Sequence, residues 1–358
     1  MKKFLIVISV ILLFALTATM AVGCKQPTPV EPLDIEAGSR PDFANGITAS
    51  ELVVINAGLA SNATDAQRKA AVLCLFYAAD RIQLAADTLF KISDGSGYAK
   101  SGAEGNMTVR GFYFRSGSSF YSQTAGQITS ANVGSLIPNA TNVARNMLDQ
   151  LGRTYTPDME TFYRQKAEDG KGANKPNVAA YDHFPYVSAD YSKCKAEEFT
   201  LEQWRTKDRI LNTVGELSNF AFNVNAIKDA EISLNEEEHF YRIEFALDTG
   251  NKGTDYDDVV NFAREGLREA STSDNLDYVI YNVTLEIWDN GYIRTFSSVE
   301  NWEATLKIYG LKLDGVSDSS NTTSYYWDWE EIKDVIDDYE AYDEAETPAD
   351  FLNILNWR

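Results

Sequence analysis

Leu285-Glu286-Ile287-Trp288-Asp289-Asn290-Gly291-Tyr292-Ile293 is the stretch that decides the fold. Apolar and polar residues alternate before Trp288, which is typical of a β-strand with one face in the core and one in solvent. Asn-Gly readily adopts the positive φ that tight connections require, so the chain is predicted to reverse between Trp288 and Tyr292. The sequence here predicts an antiparallel hairpin with one apolar face.

The same alternation marks the strands around this hairpin. Their apolar positions are Tyr241, Ile243, Phe245 and Leu247, then Val279, Tyr281, Val283, Leu285 and Ile287, and then Trp302, Ala304, Leu306 and Ile308. The segment Asp255–Ala270 is predicted to be helical. Further strands are predicted at Met107–Phe114, Ser119–Ile128, Glu160–Lys166 and Tyr181–Tyr191, with a short helix near Pro138–Gln150. Together these segments predict a curved antiparallel sheet.

Two capped helices are predicted to cover the sheet. Thr64 and Gln67 have the spacing of a capping box, and apolar residues recur after them at intervals of three and four. These residues are Val72, Leu75, Phe76, Ala79, Ile82, Ala86, Leu89 and Phe90. They predict a helix over Asp65–Ile92 that ends at Asp94–Gly97, and a second helix is expected over Thr200–Leu217. Because an apolar sheet face must be buried, the fold class is predicted to be α+β.

The first residues of the chain resemble a bacterial lipoprotein signal. Lys2 and Lys3 precede the apolar run Phe4–Met20, and Ala21-Val22-Gly23-Cys24 ends in the Gly-Cys pair of a lipobox. We therefore expect residues 1–23 to be a signal peptide and Cys24 to carry a lipid anchor on the extracytoplasmic face of a cell membrane or in a periplasm. The alternative is an uncleaved membrane span, since the apolar run is nearly long enough.

Residues 24–43 are predicted to be a tether. Four prolines, Pro27, Pro29, Pro32 and Pro41, fall in a segment of little apolar periodicity. Such a segment acts as a semi-extended spacer. Residues 44–358 are then expected to form a single α+β domain that ends in an acidic helix.

The composition limits the partners. The chain has 53 acidic and 32 basic residues and a formal net charge of −21, which becomes −23 once the two leader lysines are lost. This charge disfavours nucleic acid as a partner, because its binding depends on dense Lys and Arg contacts. With 44% hydrophobic residues the chain can still bury a sizeable core.

No catalytic signature is found. His183 and His239 lie in no local motif with a nucleophile, and neither a G-x-S-x-G elbow nor a phosphate-binding Gly-rich loop occurs. The acidic runs lack the pattern of a calcium loop. We therefore predict a protein that is not an enzyme and has no cofactor and no metal site. For Cys74 and Cys194, separate thiols are favoured over a disulfide.

The order of these elements resembles that of the lipoprotein-localisation and mycobacterial-type lipid-carrier lipoproteins. The resemblance covers about Asp65–Trp329 and rests on the lipobox, tether, long helix, strands, inserted helix and the hairpin at Asp289–Gly291. It implies a half-barrel with helices packed on its concave face, where several members hold acyl chains. The chain departs from the family in a longer middle region, Ser130–Lys195, and in an acidic tail, Asp328–Glu346.

Two functions are consistent with these observations. In the first, the protein binds or carries a hydrophobic acyl or lipid ligand in a cavity between helix and sheet. The cavity candidates are Val72, Phe76, Ala79, Ile82, Leu89, Tyr241, Ile243, Phe245, Val283, Leu285 and Leu306. In the second, the interior is solid and the protein is a surface-displayed lipoprotein that contacts proteins or glycans through outer aromatic residues such as Trp288, Tyr292 and Trp327.

Overall fold

A computed structural model describes residues 36–100, 104–132, 151–158, 160–166, 197–200, 217–218, 220–271, 276–308, 311–336 and 345–355. Several predictions lie outside these residues. They are the signal peptide with Cys24, the helix near Pro138–Gln150, the strand Tyr181–Tyr191, His183, Cys194 and most of the helix Thr200–Leu217.

The described strands form one open antiparallel sheet. Its spatial order is β6-β5-β4-β3-β2-β1-β11-β10-β9-β8-β7. The strands are β1 Thr88–Lys100, β2 Glu104–Ser116, β3 Ser119–Asn132, β4 Leu151–Thr156, β5 Thr161–Lys166, β6 Glu197–Thr200, β7 Ile227–Asn235, β8 Phe240–Leu247, β9 Leu276–Trp288, β10 Ile293–Ile308 and β11 Leu311–Tyr326. The predicted curved antiparallel sheet is confirmed, and the strands expected at Met107–Phe114, Ser119–Ile128 and Glu160–Lys166 correspond to β2, β3 and β5. β1 and β11 are the first and last of the described strands along the chain, and they pair with each other in the middle of the sheet.

The hairpin between β9 and β10 is also confirmed. The Trp288 amide donates to the Tyr292 carbonyl at 2.8 Å, and the Gly291 amide donates to the Trp288 carbonyl at 2.7 Å. Gly291 has φ +93°, which a residue with a Cβ rarely adopts. The turn is therefore a three-residue loop with its glycine in the positive-φ position.

The alternation predicted for β9 holds only from Tyr281 onward. Asn301 on β10 pairs with Ile280, whereas Trp302 pairs with Tyr278, so Val279 is the extra residue of a β-bulge. Tyr278 and Tyr281 are both buried, and Val279 is exposed. The expectation that Val279 points into the core is wrong, because the bulge changes the phase of the strand by one residue.

The described helices are α1 Ala49–Leu59, α2 Asp65–Ala85, α3 Thr254–Ser271, α4 Trp329–Ile336 and α5 Pro348–Leu355. The capping box of Thr64 and Gln67 is confirmed, and Thr48 and Glu51 form a second one. Helix α3 confirms the prediction for Asp255–Ala270. The acidic tail contains α4 and α5, which are separate helices, with residues 337–344 outside the described part of the chain.

The predicted end of the long helix is wrong. Helix α2 ends at Ala85, and residues 88–100 form β1, which pairs along its length with β2 and β11. Asp94–Gly97 is thus the interior of a central strand and not a turn. The backbone of β1 hydrogen-bonds to β2 on one side and to β11 on the other. This pairing decides the structure of a segment whose spacing of apolar residues is also compatible with a helix.

One large core lies between α1, α2 and α3 and one face of the sheet. It includes residues from β8, β9 and β10 and reaches Leu89 and Tyr113 on β1 and β2. The helices α1 and α2 approach closely at Gly58, where an added Cβ would lie 2.2 Å from the Cβ of Ala71.

A second core lies on the opposite face, under α4 and α5. Phe90 and Phe114 are paired on neighbouring strands, and the Phe114 ring lies 4.9 Å from that of Phe351 on α5. Leu89, next to Phe90, points to the first core. Helices therefore lie on both faces of this sheet, so the two faces are not simply one apolar and one polar.

Residues 36–47 form a strap that is bound to one end of the sheet. Ser39 donates from its amide and its hydroxyl to Glu331 at 2.6 and 2.7 Å, and Arg40 pairs with Asp289 at 2.6 Å. The Asn290 amide group donates to the carbonyls of Pro41 and Phe43. These contacts hold part of the segment 24–43, which was predicted to be a tether, against the folded sheet.

Candidate functional site

The structure brings most of the predicted cavity residues into the first core. Val72, Phe76, Ala79, Ile82, Leu89, Tyr241, Ile243, Phe245, Val283 and Leu285 are all buried there. Leu89 comes from β1 instead of the helix. Leu306 lies on β10, opposite Leu313 of β11, and its side chain is outside the described part of the structure.

The helix and sheet members of this set are in direct contact. The Phe76 ring on α2 lies 5.7 Å from the Phe245 ring on β8 and 5.8 Å from the Phe222 ring, edge to face in both cases. At the hairpin end, a Cβ added to Gly291 would lie 2.4 Å from Cδ1 of Ile82. These contacts are typical of a close-packed interior.

The most unusual group in the core is the carboxyl of Glu300, which sequence reasoning missed. Glu300 lies on β10 in the same inward row as Phe296, Ser298, Trp302 and Ala304, and it is 2% exposed. Its position two residues before Trp302 puts it in phase with the apolar positions of that strand. This phase was the signal that could have identified it.

Hydroxyl groups surround Glu300. Tyr278 and Tyr281 lie on β9, Ser319 lies opposite Glu300 on β11, and the Tyr278 hydroxyl hydrogen-bonds to the carboxyl. Burial raises the pKa of Glu300 to about 8, although the hydroxyls of Ser319 and Tyr278 lower this pKa to a smaller extent. No cation of the described chain forms an ion pair with Glu300. The carboxyl is therefore mainly protonated at pH 7 and can donate a hydrogen bond.

A second polar group ties this cluster to α3. The Tyr278 amide donates to the Tyr256 hydroxyl at 2.8 Å, and burial raises the pKa of both phenols. Burial raises the pKa of Tyr281 as well, and the charge of ionised Glu300 would raise it further. The arrangement is a set of buried phenol and carboxyl groups, in which the side chains of Tyr278 and Glu300 hydrogen-bond to each other.

The outer aromatic residues expected to contact glycans are not on the surface. Trp288 and Trp327 are buried, and Tyr292 is half-buried. The Trp327 indole donates to the Ile293 carbonyl at 2.7 Å and packs edge to face on Tyr292. These side chains hold the strap end of the sheet together, so the prediction of an exposed aromatic platform at these positions is wrong.

The exposed apolar residues of β9 and β10 form a patch at the bulge. Val279, Ile280 and Val299 are 46%, 43% and 47% exposed. Asn301 pairs with Ile280, and Val299 lies two residues before Asn301, so Ile280 and Val299 are diagonal neighbours on the face opposite the first core. We call these three residues the bulge patch. Polar residues flank it, among them Asn282 and Ser320.

Between the bulge patch and the hairpin, the same face carries a charged network. Glu286 accepts from Arg242 at 3.1 Å and from Arg294 at 2.8 Å. The Arg294 guanidinium lies 4.6 Å from the ring centre of Phe240 and 5.3 Å from that of Trp288. The aliphatic surface of the bulge patch is thus separate from the ionic surface nearer the strap.

The remaining candidate groups have ordinary surroundings. Cys74 is half-buried, burial raises the pKa of its thiol, and its Sγ lies 3.9 Å from the Glu51 carbonyl. His239 is exposed, with Nδ1 3.5 Å from Asp289. Within the residues that the structure describes, no cluster of His, Cys, Asp or Glu has the geometry of a metal site. None of the described helices is both long and apolar enough to cross a bilayer.

No protein-family model matches the chain, and no curated protein matches it. The fold and the surface define a sheet-rich α+β protein that has a core on each sheet face, a buried neutral carboxyl and an exposed aliphatic patch.

Proposed function

We propose that the chain is a lipid-anchored extracytoplasmic protein that binds a protein partner through the bulge patch and catalyses no reaction. The observation that carries this proposal is the bulge patch itself. Three aliphatic side chains lie together on a strand surface whose other exposed residues are polar. Clustered exposed apolar residues with a polar surround are characteristic of protein contact sites.

The packing of the first core favours this function over acyl carriage. A carrier needs free volume between α2 and the sheet, whereas the rings of Phe76, Phe222 and Phe245 are in contact there. A ligand could enter between these rings only if they moved apart, and close-packed cores resist such movement.

The chemistry of the patch also favours a protein over a glycan. Sugars are commonly bound by exposed aromatic faces and hydrogen-bonding side chains, whereas the bulge patch is aliphatic and the indoles of Trp288 and Trp327 are buried. Valine and isoleucine instead remove apolar area from water when another apolar surface covers them.

The anchoring part of the proposal rests on the leader sequence. If Cys24 is acylated, Cys24→Ser should abolish metabolic labelling with a fatty-acid analogue, and Cys74→Ser should leave the labelling unchanged. Label that persists in Cys24→Ser would overturn the assignment of the anchor.

Site-specific photocrosslinking tests the binding part. A photoreactive residue at Val299 should give a discrete crosslinked protein in cells, and Val279→Ser should weaken that product. The same residue at Ser233, exposed on β7, is the matched control and should give none. Native mass spectrometry with organic extraction completes the test. A stoichiometric acyl ligand in the purified protein, without a Val299 adduct, would replace this proposal with the carrier function.

A further inference from the structure

Acidic side chains border the bulge patch on one side. Val299, Asn301 and Glu303 alternate with the buried side chains of β10, so they share the face opposite the first core. Ile280 lies opposite Asn301, which makes Glu303 its diagonal neighbour at a Cβ distance of about 7–8 Å. Asp277 on β9 lies directly opposite Glu303. An aliphatic surface and a pair of carboxylates are therefore neighbours on this face.

The acidic border continues on β11. Asp318 lies opposite Asn301 and accepts a hydrogen bond from the Asn301 amide group. We call Asp277, Glu303 and Asp318 the acidic rim. Its members lie on three neighbouring strands, and neighbouring strands are about 4.8 Å apart. The rim therefore crosses the sheet beside the bulge patch.

The nearby cations neutralise only part of the acidic rim. Lys252 and Arg264 bind Asp277, with N–O distances of 3.1 and 3.0 Å. Glu303 is exposed, and no cation in the described part of the chain forms an ion pair with it. Like charges directly opposite each other on paired strands are destabilising, so an added cation at Glu303 would stabilise this pair. The remaining lysines beside this part of the sheet are farther from the patch, at Lys100, Lys307 and Lys312.

The sign of the acidic rim disfavours two other occupants of the patch. A second copy of the chain would place its own rim against this one, since a symmetric dimer uses the same patch on both subunits. An anionic bilayer repels carboxylates in the same way. A partner with basic side chains has neither cost, and it gains from the unpaired carboxylate of Glu303.

We therefore propose that the partner of the bulge patch is a protein segment that is both aliphatic and cationic. Its aliphatic side chains cover the bulge patch, and a lysine or arginine about 7 Å away binds Glu303. That distance is the spacing of residues i and i+2 in an extended strand, so one face of such a segment supplies both contacts. Exposed ion pairs add little affinity, so the rim selects the partner while apolar contact holds it. This inference rests on the protein partner of the proposed function.

Synthetic peptides of equal length test the chemistry of the partner. They alternate lysine with valine, glutamate with valine, or lysine with serine, and each is mixed with the purified full-length protein that carries a photoreactive residue at Val299. We expect a crosslink to the lysine–valine peptide alone. In fluorescence anisotropy, Glu303→Gln should weaken the binding of this peptide about two- to fivefold, the loss of one exposed ion pair. Val279→Ser should weaken it too. Glu231→Gln, exposed on β7, is the matched control and should not.

The outcomes separate this inference from the proposed function. Equal crosslinking of the lysine–valine and glutamate–valine peptides would overturn the cationic partner and leave the patch as a protein contact site. If Glu303→Gln and Val279→Ser leave the affinity unchanged, the peptide binds elsewhere and the inference is overturned, while crosslinking in cells still decides the proposed function. If Val279→Ser abolishes dimerisation of the protein, or abolishes binding of the Cys24→Ser protein to anionic vesicles, the occupant is a second copy or a bilayer, and the cationic partner is again overturned.

Discussion

At the scale of single residues, the buried carboxyl of Glu300 makes the stability of the fold depend on pH. In the unfolded chain its carboxyl has a pKa near 4.5, and in the fold burial raises the pKa to about 8. The folded protein therefore keeps a proton that the unfolded chain releases. The stabilisation from Glu300 is complete below pH 4.5 and is lost as the pH rises to about 8, at about 1.4 kcal/mol per pH unit.

Glu300→Gln should remove this pH dependence. Glutamine keeps the shape and the hydrogen-bonding capacity but cannot ionise, so the variant should become more stable than wild type between pH 7 and 8. Urea denaturation at pH 5, 6, 7 and 8 measures the difference. Glu303→Gln is the matched control, because Glu303 is exposed on the same strand. Equal pH slopes for wild type and Glu300→Gln would contradict the assigned burial.

Substitutions at Leu285 and Glu286 test which face of β9 lies in the core. Leu285 is completely buried, so Leu285→Asp should cost at least about 3 kcal/mol by burying an unpaired charge. Glu286 binds Arg242 and Arg294, so Glu286→Lys should cost about 1–2 kcal/mol, more than an ordinary surface change. Chemical denaturation gives both values, and similar tolerance at the two positions would refute the assigned register.

At the scale of elements, alternation predicted the strands that have one apolar face and failed where both faces are buried. Leu89 and Phe90 are adjacent and both buried, one in each core, so β1 carries no period of two at this point. Their spacing from Ile82 and Ala86 also continues a helical stripe. Only pairing with β2 and β11, which local sequence does not show, decides between helix and strand.

The bulge in β9 gives a prediction at the same scale. Deletion of Val279 removes the extra residue and leaves Tyr278 and Tyr281 facing inward, so the fold should survive with a cost of about 1–2 kcal/mol. Deletion of Asn282 is the control. It turns the segment before it to the wrong face, because a one-residue shift reverses every side chain. Circular dichroism melts of both variants check this, and equal losses would argue against a bulge at Val279.

At the scale of the whole molecule, the sequence predicted an antiparallel α+β domain but not its two cores or the strap. The second core joins β1, β2 and β11 to the C-terminal helices, and the strap joins Glu36–Ile47 to Asp289 and Glu331. Both depend on contacts between residues more than 200 positions apart. Composition and periodicity describe local order, so the candidate core residues were recognisable while their division between two faces was not.

Ala79→Trp decides whether the first core is solid. Ala79 is fully buried on α2, so tryptophan should overpack it and cost on the order of 1–3 kcal/mol or more. Leu84→Trp is the control on the same helix, because Leu84 is partly exposed and a larger side chain there can extend into water. Thermal midpoints and titration with a fluorescent fatty acid are measured for all three proteins. We expect Ala79→Trp alone to melt early and wild type to bind no probe. If wild type instead binds the probe, and Ala79→Trp keeps its midpoint but loses binding, then α2 lines a real cavity and carriage of an acyl ligand replaces partner binding as the function.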